Sequence, residues 1–364
     1  MGYAPQAIID HAALRNNLKR AKEAAKGRKV WAVIKADGYG HGMLRVADTL
    51  VEADGLAVAR LDEAIGLRDA GVTQPVLVLG GCYCEDDFKK AAEASFEIVL
   101  HHGSQLDLLT KTRLKPQSLK LWIKFDTGMH RLGFEDQELS GSVAALRANP
   151  AIAALNLMTH LANADDRRDP LTKTQCALFE SIDHTPFDAC SIANSAGLLG
   201  HPASLADWVR PGIMLYGVSP FIDSSAAAEG LLPAMTLQSR VIAVKDCRKG
   251  ERIGYGGTFT CPEAMRVAVI AIGYGDGYPR HAPSGTPVLV SGKRLPLIGR
   301  VSMDMISVDA RGLPGVKVGD EAVLWGRELP VEEIAKAAGT IAYELLCGVK
   351  KRVEFLDVNR DREG

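Results

Sequence analysis

Eight short apolar runs, each separated from the next by stretches with helical spacing, constrain this chain more than any other feature. The runs fall at residues 30–36, 55–61, 75–80, 96–102, 119–126, 153–161, 188–194 and 205–210, the last being the least apolar. They are rich in β-branched residues and nearly continuous in hydrophobicity, the pattern of parallel strands buried on both faces. Between them lie charged, Ala- and Leu-rich stretches at 61–70, 85–94, 139–149 and 171–182, and a further helix is expected over 12–25. Eight such units are the complement that closes a (β/α)8 barrel of the TIM type.

Beyond residue 232 the pattern changes. Shorter, alternating strands are expected at 235–245, 266–272, 286–290, 301–309, 320–324 and 351–356, with Gly and Pro marking the turns. One helix, 331–338, is opened by Pro330 and closed by Gly339. The expectation is therefore a barrel over 1–232 and a mainly antiparallel β domain over 233–364.

Composition excludes several function classes. Forty-three Lys and Arg balance 44 Asp and Glu in 364 residues, without a basic patch, so a nucleic-acid partner is not expected. No run of 18 apolar residues exists, so neither is a membrane span. The first residues lack a basic segment followed by an apolar one, and the seven cysteines are sparse and odd in number. A reduced, cytoplasmic protein is the plain expectation. No metal is expected: Cys82 and Cys84 have no second pair, and no H-E-x-x-H occurs. The glycine triplets 38/40/42 and 273/275/277 do not match the dinucleotide fingerprint.

Lys35, His101, Lys124, His160, Ser195 and Arg210 all stand at or just past the C-terminal end of a predicted strand. In a (β/α)8 barrel that end carries the chemistry. Lys35 leaves its strand directly into a Gly-rich turn, where desolvation would favour a neutral, nucleophilic amine able to form a Schiff base with an aldehyde. Arg210 is followed by backbone N–H groups at Gly212 and Ile213 suited to a phosphate, to which Tyr39 and Ser195 could add hydroxyls.

Seven motifs then occur in one order along the chain: AVIKADGYGHG (32–42), DTGMHRLG (126–133), SIANSAG (191–197), VRPGI (209–213), GYGG (254–257), GYGDGY (273–278) and GRVSMD (299–304). On these the sequence resembles the alanine racemases, pyridoxal-phosphate enzymes of fold type III, from about residue 6 to its end. The resemblance implies that Lys35 carries the cofactor and is one of two catalytic bases, with Tyr255 the other on the opposite face. It implies a chain from Tyr255 through His160 to Arg210, and places Arg210 against the cofactor's pyridine nitrogen. It gives Arg131 the substrate carboxylate, with Lys124 beside it as the lysine that many members carbamylate. Met303 matches a residue whose backbone N–H meets the same carboxylate, with Asp304 adjoining. Tyr343 matches the last phosphate-binding tyrosine.

By the same resemblance the enzyme is a homodimer that shares its active sites between subunits. It interconverts L-alanine and D-alanine, the latter a precursor of peptidoglycan. Ser302, where many members have Cys, and Gly257 and Phe259 beyond Tyr255 depart from the pattern without removing a reacting group. The overall pattern looks more like the catabolic isozyme. Alternatives are a related racemase of broader or serine specificity, and a non-catalytic carrier of pyridoxal phosphate. Such carriers resemble the barrel alone.

Overall fold

The computed structural model describes residues 4–360. The eight expected runs form a closed, all-parallel barrel of β2 (Lys29–Val33), β3 (Gly55–Val58), β4 (Val76–Val78), β5 (Glu97–Leu100), β6 (Leu119–Lys124), β7 (Ile152–Met158), β8 (Cys190–Ser191) and β9 (Trp208–Val209). Burial accounts for the sequence pattern: every residue of β3, β4 and β5 is buried. Helices follow at Leu61–Asp69, Glu85–Glu93, Gly103–Lys111, Asp136–Arg147 and Leu171–Glu180.

The N-terminal ends of the strands pack on aromatic rings. Trp31 stacks on Trp208 with ring centroids 4.3 Å apart, and Trp122 meets both edge-on. Gly55 makes the space, since a Cβ there would lie 2.1 Å from the Trp31 ring. The indole N–H of Trp122 donates to buried Glu97 at 2.6 Å, so this end of the barrel is a packed floor rather than a site.

The chain divides into two compact units. One comprises residues 14–38 and 42–231 and contains the barrel; the other comprises residues 1–13, 39–41 and 232–364. This corrects the expectation that all of 1–232 goes with the barrel. Strand β1 (Gln6–Asp10) instead pairs antiparallel with β10 (Met235–Cys247) and parallel with Glu354–Val358. The physical reason is its alternating burial, one face in and one out, which suits an antiparallel sheet and not a barrel interior.

In the second unit β10 is long enough to serve two neighbourhoods. Its first half pairs with β1, and from Val241 on its second half pairs with Met265–Ile270, with a bulge between Val241 and Ala243. The remaining strands, Pro287–Val290, Lys293–Ile298, Ile306–Asp309 and Glu321–Trp325, complete an eight-stranded, mainly antiparallel sheet. A separate two-stranded hairpin, Arg252–Ile253 with Phe259–Thr260, projects from the connection after β10. The helix Val331–Ala338 has the expected bounds, ending at Gly339 with φ +71°.

Candidate active site

Lys35 follows β2, half-buried, and the chain then turns the wrong way for L-residues. Ala36, Asp37, Gly38 and Tyr39 all have φ between +50° and +62°. Such a conformation costs roughly 1–2 kcal/mol for each non-glycine residue. Four hydrogen bonds hold it: Ala36 N–H to Glu63 Oε1 (2.8 Å), Gly38 N–H to Ile34 O (2.9 Å), Gly42 N–H to Asp37 O (2.8 Å) and Met43 N–H to Asp37 Oδ1 (2.7 Å). Glu63 was not legible as a site residue. Its second oxygen accepts the N–H groups of Ala59 and Arg60, tying the turn after Lys35 to the end of β3.

Arg210, at the end of β9, is buried and, among the described residues, pairs with no carboxylate. It donates to Ser191 Oγ, to Thr159 O, and to Ile192 O at 3.2 Å. Burial lowers its pKa to about 10, which still leaves it charged at neutral pH. His160, at the end of β7, is held well below its usual value by burial and then by Arg210, Lys124, Arg131 and Lys35. The imidazole is therefore neutral. The His160–Arg210 part of the expected chain is thus an effect of charge: the Arg210 hydrogen bonds go to the three acceptors above.

Lys124, ending β6, is lowered to about 8 by burial and by Arg210, Arg131 and Lys35, against which only Asp126 acts. Arg210, Arg131 and Lys35 thus all act on Lys124 as positive neighbours, and Asp126 opposes them. The Asp126 Oδ1 already accepts from Gly128, Met129 and His130 N–H. Ser195 Oγ accepts from Gly212 N–H at 2.8 Å and Met214 N–H at 3.4 Å, leaving its own proton to donate.

The lowered Lys124 has a consequence for stability. A base depressed when folded makes the unfolded state the better proton acceptor between pH 8 and about 10. Stability of the protein without ligands should therefore rise with pH over that window relative to Lys124→Met, which lacks the group. Paired urea denaturation curves at pH 7, 8 and 9.5 would read this; a difference that does not change with pH refutes the assignment.

The remaining expected residues lie in the second unit. Tyr255 opens the turn of the Arg252–Thr260 hairpin and is 70% exposed. Arg252 ties the turn by donating to the carbonyls of Gly257 (2.9 Å) and Gly256 (3.2 Å). Met303 is 52% exposed. Tyr39 is buried, its phenol pushed far upward by burial and then by Tyr343 and Cys347, so it keeps its proton. Its ring lies 6.0 Å from that of Tyr343.

The GYGDGY motif supports the Met303 loop. A Cβ on Gly273 would stand 2.2 Å from Ser302 O, and one on Gly277 2.4 Å from Gly348 O. Tyr274 and Gly275 N–H donate to Ser302 O (3.1 Å) and Met303 O (2.8 Å). Arg352, also missed in the sequence, bridges buried Asp276 and exposed Asp304 at 2.8 Å each. Gly273→Ala should destabilise by at least ~1–3 kcal/mol, the usual range for overpacking, because the obstructing atoms are backbone. Thermal unfolding checks it; an unchanged Tm contradicts the close approach.

Comparison with known proteins gives the family. Residues 9–220 match the family described as alanine racemase, N-terminal domain, and 234–356 the alanine racemase, C-terminal domain. The chain belongs to the alanine racemase family. It is 55% identical over 350 residues to an alanine racemase of Nitrosococcus oceani, covering 96% of this chain and 98% of that one. It is 49% identical over 355 residues to one of Halorhodospira halophila, covering 97% of each. The crystal structure of the biosynthetic alanine racemase from Pseudomonas aeruginosa superposes with a TM-score of 0.96 at 43% identity, over 98% of this chain and all of that one. An Acinetobacter baumannii alanine racemase gives 0.92 at 39%, with the same coverage.

Within the family's architecture, the barrel unit brings together Lys35, Lys124, Arg131, His160, Ser195, Arg210, Gly212 and Ile213. The second unit carries Tyr39, Tyr255, Met303, Asp304 and Tyr343. Among the described residues no group of His, Cys, Asp and Glu could hold a metal ion, and no helix is long and apolar enough to cross a membrane.

Proposed function

We propose that this chain interconverts L-alanine and D-alanine by a two-base mechanism, using pyridoxal 5'-phosphate. Family membership supports the reaction. The observation that supports the cofactor is the gathering of Lys35, Arg131 and Arg210 near Lys124, with buried Arg210 donating to the neutral acceptors Ser191, Thr159 and Ile192. When bound, the cofactor supplies an electron sink that acidifies the Cα–H bond of the substrate.

Lys35 would hold that group covalently and exchange a proton with Cα on one face. Tyr255 would do so on the other. Two bases are needed because inversion removes the proton from one side and delivers it to the opposite side. Arg210 would face the pyridine nitrogen. A guanidinium donates a hydrogen bond without giving up its proton, so it leaves that nitrogen largely unprotonated. Electron withdrawal is then weak, which favours rapid return of the proton to Cα over side reactions. Neutral His160 adds no further positive charge to the cluster.

The Ser195 hydroxyl, the Ile213 N–H, and the Tyr39 and Tyr343 hydroxyls would hold the phosphate, joined by the Gly212 N–H if it shares the bond it gives Ser195 Oγ. Arg131 and the Met303 backbone N–H would bind the substrate carboxylate. Lys124 stands beside Arg131 as a candidate for carbamylation, and the Arg352 bridge steadies Asp304 next to Met303.

We further propose a cytoplasmic homodimer in which Tyr255 and Met303 of one subunit complete the site of the other. The exposure of both side chains in a single chain supports this. Enantiomers have equal free energy, so the enzyme supplies D-alanine to peptidoglycan synthesis or L-alanine to breakdown according to which isomer is consumed.

The test is Cα–H exchange in D2O on the cofactor-loaded protein, with L-alanine, L-serine, L-lysine and L-arginine in parallel and chiral chromatography of the products. Exchange with formation of D-alanine, the others being slow, is expected. Comparable rates on serine or the basic amino acids would favour a broader racemase. No exchange despite bound cofactor would favour a carrier.

A further inference from the structure

Gln175 is wholly buried on the inner face of the helix Leu171–Glu180. Its Oε1 accepts the N–H of Ala162 at 2.8 Å. Its Nε2 donates to His160 O at 3.1 Å and to Thr127 Oγ1 at 3.1 Å. One terminal atom faces an obligate donor and the other an obligate acceptor, which fixes the orientation of the amide. Both N–H donors are used, and the oxygen accepts one N–H, so three of the four hydrogen-bonding positions of the amide have a partner.

The partners belong to two different loops. Thr127 lies in the loop after β6 that carries Asp126 and Arg131. His160 and Ala162 lie in the loop after β7. Thr127 Oγ1 in turn meets Thr159 Oγ1 at 2.7 Å, and the Thr159 carbonyl is an acceptor of Arg210. A single amide thus spans the Arg131 loop and the His160 peptide, one residue from an anchor of Arg210.

Glutamate could not replace it. A carboxylate would set an oxygen against the His160 carbonyl, and a protonated acid has one donor where two are required. A shorter amide would not reach both loops.

We infer that Gln175 is a positioning residue for the racemase reaction, setting the Arg131 loop in register with the His160 peptide. The inference rests on the functional reading above. Its effect is on geometry, so it predicts a loss in substrate binding larger than the loss in turnover.

The test uses Gln175→Met, which keeps size and removes the hydrogen bonds, and Thr127→Val, which removes one partner from the other side. Each is assayed as the cofactor-loaded enzyme for kcat and KM with alanine, together with amide hydrogen exchange of residues 126–134. Gln175→Met should raise KM roughly tenfold, an effect of the size expected for ~1.4 kcal/mol of lost binding, and change kcat less. Thr127→Val should raise KM in the same direction. Exchange over 126–134 should quicken in both while that of the β6 strand stays slow. The double variant should fall short of the product of the single effects.

A lowered Tm or lower active fraction with KM and loop exchange unchanged overturns the inference, as do two variants indistinguishable from the parent. Should Gln175→Met fail to fold, Thr127→Val decides by the same readouts. If the parent itself does not racemise alanine, the functional reading falls. Loop exchange then still decides whether Gln175 holds the two loops together.

Discussion

Lys35→Ala leaves a folded protein without measurable racemisation. The side chain is only half-buried and follows β2, so its removal opens no cavity in the core. The backbone of the left-handed turn is held by Glu63 and Asp37, neither of which depends on the amine. The loss has two components. A positioned proton-transfer group alone contributes about 10²–10⁴-fold, and on the proposed mechanism the covalent attachment of the cofactor would be lost as well, so the expected fall exceeds the upper end of that range. Initial rates by chiral chromatography, the absorbance of bound cofactor and a thermal unfolding curve read the three parts separately. Lys35→Arg should be equally inactive, since a guanidinium is neither nucleophile nor base at neutral pH. Small primary amines added to Lys35→Ala should restore some exchange at Cα. Retention of more than one part in a hundred of the activity in Lys35→Ala would remove this residue from the mechanism.

The barrel is legible in the sequence because a strand buried on both faces leaves a run that little else produces. Even β8 and β9, which reduce to two residues each, stand where the runs at 188–194 and 205–210 predict. Asp207 fixes this pair from outside the strands by accepting the Cys190 N–H at 2.8 Å. The helix Val331–Ala338 is legible for a different reason, as Pro330 and Gly339 state its ends in local chemistry. The strand Lys293–Ile298 is not, because Pro296 within it argues against a ladder; it lies opposite Pro287, where the hairpin does without those donors. Strand β1 escapes notice because its partners are more than 200 residues away in sequence.

The site divides along the same line. Strand-end cations show in the sequence because a charged residue that ends an apolar run is conspicuous. Gln175, Glu63 and Arg352 do not, since each is an ordinary polar residue on a helix or loop whose role comes from what folding brings to it. The left-handed turn is half legible. Gly38, Gly40 and Gly42 announce unusual backbone and Asp37 tolerates it, while Ala36 and Tyr39 adopt it without any local preference for doing so. In GYGDGY the glycines are legible as such, and their purpose is not. They lie where one backbone crosses another, as the 2.2 Å from a hypothetical Gly273 Cβ to Ser302 O makes plain.

Tyr255→Phe separates the two proposed bases. The substitution deletes one hydroxyl from a side chain that is 70% exposed at a hairpin turn, and the Arg252 hydrogen bonds that shape the turn go to carbonyls, not to the phenol. Stability should therefore be unchanged within about 0.5 kcal/mol, the range for exposed substitutions. Racemisation should fall by about 10²–10⁴-fold, the usual contribution of a positioned acid–base group. The two directions of chemistry should not suffer equally. With Lys35 intact, the isomer whose Cα–H faces the lysine still loses its proton and regains one from the same side. Its hydrogen exchanges with D2O, and its configuration is kept. The opposite isomer has no base facing its Cα–H and should neither exchange nor invert. NMR of Cα–H loss from L- and D-alanine, run in parallel with chiral chromatography, reads both. Exchange confined to one enantiomer without inversion is the signature of two bases on opposite faces. Equal slowing of exchange in both enantiomers, with inversion keeping pace, would instead mean that Tyr255 serves binding and that a single base reaches both sides.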